Sequence, residues 1–103
     1  MDFKIGSLVK DKKLILIPSG ELDVYSTDKF KEEALKAYND NKFDIELDCS
    51  KLEYLDSTGL GALIFLLKTV NDDDNTISIS NLNKQILKLF KITNLDEMFE
   101  IRS

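Results

Sequence analysis

The sequence predicts an α/β sandwich, with helices packed on a mixed sheet of about four to five strands. Two periodicities and their order carry that prediction. Phe43, Ile45, Leu47 and Cys49 alternate with Asp44, Glu46, Asp48 and Ser50, the period of two that puts one side of a strand inward. Phe30, Ala34, Ala37 and Tyr38 instead recur at helical spacing through 29–39. Segments of the two kinds then alternate along the chain after an opening hairpin, the order expected of helices laid on a sheet. With 103 residues and no linker, repeat or low-complexity stretch, residues 1–103 are expected to form a single domain around one core.

Phe3, Ile5 and Val9 suggest an edge strand, and the charged turn Lys10-Asp11-Lys12-Lys13 reads as a hairpin. The run Leu14-Ile15-Leu16-Ile17 is continuous rather than alternating, which predicts a strand covered on both faces, with Pro18 ending its ladder. Ser19-Gly20-Glu21-Leu22-Asp23 is then a loop. Ser26 or Thr27 caps the first helix, with Asp28 in its first turn and Asn39-Asp40-Asn41 as its end.

After the alternating strand, Lys51-Leu52-Glu53-Tyr54-Leu55 reads as a short connection leading to the second helix, which begins near Thr58. Asn71-Asp72-Asp73-Asp74-Asn75 is a solvated turn, and Ile77 and Ile79 alternate with Thr76, Ser78 and Ser80 in a further strand. Asn81 or Asn83 caps a third helix that buries Ile86, Leu87, Leu89 and Phe90 and leaves Lys84, Lys88 and Lys91 in water. Asn94 is expected as its left-handed C-cap, followed by a short turn over Leu95 to Phe99 that ends near Ile101.

The unusual stretch is Asp56-Ser57-Thr58-Gly59-Leu60-Gly61, a polar corner with two glycines at the start of an apolar helix. Asp56 and Ser57 both suit an N-cap, because either side-chain oxygen accepts from an unpaired first-turn N–H. Gly59 and Gly61 each cost a helix about 1 kcal/mol relative to alanine. Either they permit close packing inside the chain, or they keep backbone N–H groups and the Ser57 hydroxyl open to a partner. The helix carries apolar residues on two faces: Leu60, Leu63, Ile64 and Leu67 on one, and Ala62, Phe65 and Leu66 with Thr69 on the other. A second helix of the same domain or a partner protein must cover the second face.

Composition excludes several classes of function. Fourteen basic against nineteen acidic residues give a net charge of −5, and no basic cluster offers a nucleic acid or an anionic membrane anything to hold. With no histidine, neither a Ser-His-Asp triad nor a histidine metal site is possible, and no catalytic residue, metal or cofactor is expected. The acidic turn lacks the alternating ligands and distant glutamate of an EF-hand. Cys49, the single cysteine, is expected as a small buried hydrophobe. Met1-Asp2-Phe3-Lys4 lacks the basic start of a signal peptide, and the longest apolar run, Ala62 to Leu67, is too short to span a bilayer, so the protein is expected in the cytoplasm.

The corner motif, with Gly20-Glu21-Leu22-Asp23 upstream and Asn94-Leu95-Asp96-Glu97-Met98-Phe99 near the end, resembles the bacterial anti-sigma factor antagonists of the STAS family. The resemblance covers essentially the whole chain. It departs at Asn94, where the family usually has glycine, at Pro18, and at Thr58, where some members have a second serine. It implies a STAS fold and a protein that is itself no enzyme. The unmodified form would bind an anti-sigma factor that is also an ATP-dependent serine kinase, the nucleotide being held by that partner, and would thereby release a sigma factor. Phosphorylation of Ser57 would switch it off, and a serine phosphatase would restore it. Asp23, Asp56, Ser57, Thr58, Gly59, Leu60, Gly61, Ala62 and Phe65 are the expected partner-contact residues, on a monomer when free. A stand-alone STAS scaffold or ligand-binding module is the alternative.

Overall fold

A computed structural model describes residues 3–102; Met1 and Asp2, part of the opening segment read above, lie outside them. The order of elements is β1 (Lys4–Lys10), β2 (Lys13–Leu22), α1 (Thr27–Asp40), β3 (Asp44–Asp48), β4 (Lys51–Leu55), α2 (Ser57–Asn71), β5 (Ile77–Ser80), α3 (Lys84–Ile92) and β6 (Glu100–Arg102), with a single 3₁₀ turn at Leu95–Glu97 before the last strand. The six strands form one mixed sheet in the order β1-β2-β3-β5-β6, with β4 paired to the far half of β2. Only β1 runs antiparallel to its neighbour. The three helical crossovers, from β2 to β3, from β4 to β5 and from β5 to β6, all advance in one direction across the sheet, so right-handedness puts the three helices on one face.

The opening hairpin forms as expected. Asp11 and Lys12 both take positive φ, 52° and 60°, which is what a two-residue turn matched to strand twist requires. β2 departs from its expectation in two ways. It runs through Pro18 to Leu22 instead of stopping, and its burial alternates, with Leu14 and Leu16 buried and Ile15 and Ile17 only half-buried. The first half of β2 pairs with β3 as far as Leu16 and the second half pairs with β4 from Ser19. Pro18 falls in the gap between these partners, where its missing donor interrupts neither parallel ladder. The sheet covers only one side of the strand with helices, so the continuous apolar run does not mean burial on both.

Two segments without a strand expectation are strands. Lys51–Leu55 pairs with β2, and Glu100–Arg102 pairs with β5 at the sheet's far edge. Among the described residues the sheet therefore has six strands rather than four to five. β5, hydrogen-bonded on both sides, is buried along its whole length, Ser78 and Ser80 included, although its sequence alternates.

The core is largely where the periodicities placed it, although Ala37, Phe43, Ile64, Leu87 and Leu89, expected inward, are only half-buried. Phe30, Ala34 and Tyr38 of α1, Ile45, Leu47 and Cys49 of the third strand segment, and Leu60, Leu63 and Leu67 of α2 are all buried. Burial, reinforced by Asp48, pushes the Cys49 thiol up to about 12, which suits a packing residue and not a nucleophile. Asn83, not Asn81, caps α3, accepting from Ile86 N at 2.8 Å. Asn94 takes the expected left-handed conformation, φ 60°. The acidic turn is only partly solvated, since Tyr38 donates its hydroxyl to Asp73 at 2.9 Å and ties α1 to the α2–β5 connection.

Candidate switch corner

The end of β4 delivers the chain to α2 through a tight corner against β2. Asp56 N donates to Leu22 O at 3.4 Å, and Leu22 and Leu55 are register partners, so the loop after β2 and the start of α2 lie side by side. Asp56 is the N-cap: its Oδ1 accepts from Gly59 N at 2.9 Å, and its carbonyl accepts from Leu60 N at 2.9 Å. Of the two cap candidates the aspartate is used, and the helix begins at Ser57.

The two glycines have different surroundings. A Cβ at Gly59 would fall on the Leu22 carbonyl oxygen and 2.6 Å from Leu55 Cδ1, so the close-packing reading holds there. A Cβ at Gly61 would meet nothing within 4 Å. Gly61 is exposed, and no packing within this chain calls for a glycine at that position.

Ser57 and Thr58 are exposed, and helical geometry leaves their N–H groups without an intrahelical partner. Asp23 lies beside this corner, half-buried, at the end of β2. Its Oδ1 accepts from Tyr25 N at 2.9 Å and lies 3.3 Å from Ser26 Oγ, which donates to Glu21 O at 2.7 Å and accepts from Asp23 N at 2.9 Å. Asp23 is thus the organiser of its own turn. Ser26 stands at the N-cap position of α1 but has no side-chain cap bond, because its hydroxyl serves this turn.

The structure sorts the expected contact residues into two groups. Asp56, Ser57, Thr58, Gly61 and Phe65 reach the surface, with Asp23 next to them. Gly59, Leu60 and Ala62 do not: Leu60 is 6% exposed and Ala62 1%. Ala62 and Leu66, expected on a face that a partner might cover, are buried within the chain itself, where α1 packs against α2. What remains of the second face is Phe65, 42% exposed, with Lys31 Nζ of α1 5.0 Å from its ring centroid.

Three exposed apolar residues near the corner escaped the sequence reading. Tyr25 is 92% exposed and Val24 60%, both in the turn that Asp23 holds, and Tyr54 stands at 49% on β4. Tyr25 lies three residues past β2, off any helical or strand period, and Tyr54 lies in a strand whose period is broken, so neither left a pattern to read. Among the described residues no group of acidic or cysteine side chains could hold a metal ion, and no helix is long and apolar enough to cross a membrane.

Comparison with known proteins places this arrangement. The family model described as Mlab, STAS domain, matches residues 10–101. The anti-sigma-B factor antagonist of Staphylococcus aureus is 32% identical over 101 residues, which span 98% of this chain and 94% of that protein. A crystal structure from Thermotoga maritima superposes with a TM-score of 0.89 at 25% identity, covering 96% of this chain and 86% of that one. The Bacillus protein SpoIIAA, solved in a phosphorylated form, gives a TM-score of 0.72 over 99% of this chain and 92% of its own, at 16% identity, a likeness of fold.

Proposed function

The chain belongs to the STAS-domain family of anti-sigma factor antagonists, and on that footing we propose that its unmodified form binds an anti-sigma factor that is also a serine kinase, releasing a sigma factor until Ser57 is phosphorylated. The observation that carries this reading is the division of labour at the corner. Asp56, Gly59 and Leu60 are committed to the fold through the cap, the close approach to Leu22 and burial, while Ser57 beside them is exposed at the start of α2. A phosphatase reverses the modification, and the kinase supplies its own ATP, so this domain acts in the cytoplasm as a substrate and a ligand and not as an enzyme.

The electrostatics favour a switch that acts on an interface. Phosphorylation adds about −1.5 to −2 charge. At a helix N-terminus the backbone dipole favours an anion by ~0.3–1 kcal/mol, so the domain tolerates the group. A partner surface against the same corner meets new bulk and, if acidic, like-charge repulsion; a loss of ~3 kcal/mol there weakens binding more than a hundredfold.

Calorimetric titration of the anti-sigma kinase from the same source with wild type, Ser57→Asp and Ser57→Ala tests the reading. Ser57→Asp is expected to bind at least a hundredfold more weakly, while Ser57→Ala binds like wild type and takes up no phosphate from ATP by mass spectrometry. Equal affinity of Ser57→Asp and wild type would refute the charge mechanism, and continued phosphorylation of Ser57→Ala would move the acceptor to Thr58.

A further inference from the structure

Away from the switch corner the sheet has an opening that the switch residues do not line. Only Cys49 and Ser50 separate β3 from β4, and there the chain leaves the flank of β5 to pair with the far half of β2. Beyond Asp48 and Ser80 the ladder between β3 and β5 has ended. The carboxyl ends of β3, β5 and β6 therefore open on a hollow of about 690 Å³ beneath α3, a volume in the range of small-ligand sites. In open α/β sheets, ligands characteristically sit outside the carboxyl ends of the strands.

The lining is chemically divided. Leu82, Leu87 and Ile101, all half-buried, form an aliphatic wall, and Lys91 and Arg102 bring two cations to its edge. One end of Arg102 is paired with Glu100 at 2.9 Å, which leaves other guanidinium donors to bond elsewhere. In a chain of net charge −5, α3 carries Lys84, Lys88 and Lys91 and no acidic residue, so its side of the hollow is basic, while the nearby carboxylates of Asp48 and Glu100 are already engaged by Asn81, Ser50 and Arg102.

The polar end is held rigidly. A single oxygen, Asp48 Oδ1, accepts from Asn81 Nδ2 at 2.9 Å and from Ser50 N at 3.0 Å, fixing the exit from β5 to the bend between β3 and β4. Asn81 is kept at φ 61°, a left-handed conformation uncommon outside glycine. Among the described residues no aromatic ring lines the hollow, so none there would stack on a nucleobase.

We propose that this hollow binds an aliphatic anion, with its alkyl chain along Leu82, Leu87 and Ile101 and its carboxylate or phosphate between Lys91 and Arg102. The site is separate from Ser57 and needs no partner protein, so its test stands apart from that of the switch. The test is a ¹⁵N-amide titration of the free protein with octanoate, octyl phosphate and octylamine. Saturable shifts clustered at Ser50, Asn81, Leu82, Leu87 and Arg102 with either anion support the proposal, and the anion that binds more tightly identifies the headgroup. Lys91→Glu, at an exposed position, is expected to weaken anion binding about tenfold or more while the rest of the amide spectrum stays in place. Unsaturable or scattered shifts, equally tight binding of octylamine, or unchanged affinity in Lys91→Glu would overturn it.

Discussion

Replacing the two corner glycines by alanine is expected to move stability in opposite directions. At Gly59 the new methyl meets the Leu22 carbonyl oxygen, 2.6 Å from Leu55 Cδ1 and 3.1 Å from Leu22 Cγ. The leucine tip can rotate away. The carbonyl cannot, because it is strand backbone that also receives the Asp56 N–H. The start of α2 must therefore shift off β2, an overpacking cost of about 2–3 kcal/mol. Removing a helical glycine returns about 1 kcal/mol, leaving a net loss of about 1–2 kcal/mol for Gly59→Ala. At Gly61 the same methyl meets nothing within 4 Å, so the propensity gain of about 0.5–1 kcal/mol stands alone. The two variants should then differ by about 2 kcal/mol, roughly 8–16 °C in Tm for a domain of this size. Urea denaturation followed by circular dichroism, with m unchanged, reads the difference directly. Gly59→Ala as stable as wild type, or Gly61→Ala less stable, would refute the argument from backbone proximity.

Asp56→Ala removes the cap on Gly59 N and should cost about 1 kcal/mol in urea denaturation, whereas Asp56→Asn keeps an acceptor there and loses only the ~0.3–1 kcal/mol of charge at the helix terminus. Tyr38→Phe deletes the hydroxyl between Asp73 and Asn75 and should cost about 1–2 kcal/mol. Burial first, then the Asp73 carboxylate, raise the Tyr38 pKa above 10.0, so ultraviolet titration should show this phenol ionising later than free tyrosine; its favourable share of stability is complete below pH 10.0 and is lost as pH rises through the folded value. Asp48 has the opposite sign. The Asn81 amide, more than any other group, holds its carboxyl below the ordinary 3.8, so the stability it supplies is present above pH 3.8 and lost as pH falls through the lower folded value. Asp48→Asn should flatten that part of a stability-against-pH profile, and an unchanged profile would remove Asp48 as the cause.

How far the sequence could be read depended on whether a local pattern reported a non-local fact. Phe30, Ala34 and Tyr38, and Ile45, Leu47 and Cys49, each show their own period, and both sets are buried as expected. β4 hid its period. Its register against β2 shifts between Gly20 and Glu21, with Gly20 paired to Leu52 and Glu21 to Tyr54, so Glu53 is an extra residue. The buried Leu52 and Leu55 are consequently three apart rather than two, and the segment reads as irregular. Gly20 takes φ 101° at this irregularity, which makes the glycine a strand feature and not a sign of a loop. β6 has only three residues, too few for any period to show. On α2, the helical wheel correctly shows two apolar faces but cannot say that α1 covers the second, because that depends on how α1 and α2 come together on the sheet. The corner was found by its motif, while the exposure of Tyr25 beside it required the turn that Asp23 builds.

The contrast between Gly59 and Gly61 locates where this chain's own requirements end. Two positions apart on one helix, both are unfavourable in isolation, yet only Gly59 is explained by what touches it. Gly61, together with the exposed Ser57, Thr58 and Phe65, belongs to a strip of α2 that the fold leaves free to vary. Domains commonly carry such unrelieved costs where a surface serves another molecule. A methyl at Gly61 is harmless to this chain and would obstruct a partner backbone approaching along the helix, so the same substitution that raises stability should lower affinity for the proposed anti-sigma kinase. That opposition separates a docking glycine from a merely tolerated one. It also explains how the corner can be rigid at Asp56 and Gly59 while its outer strip answers to a surface beyond the chain.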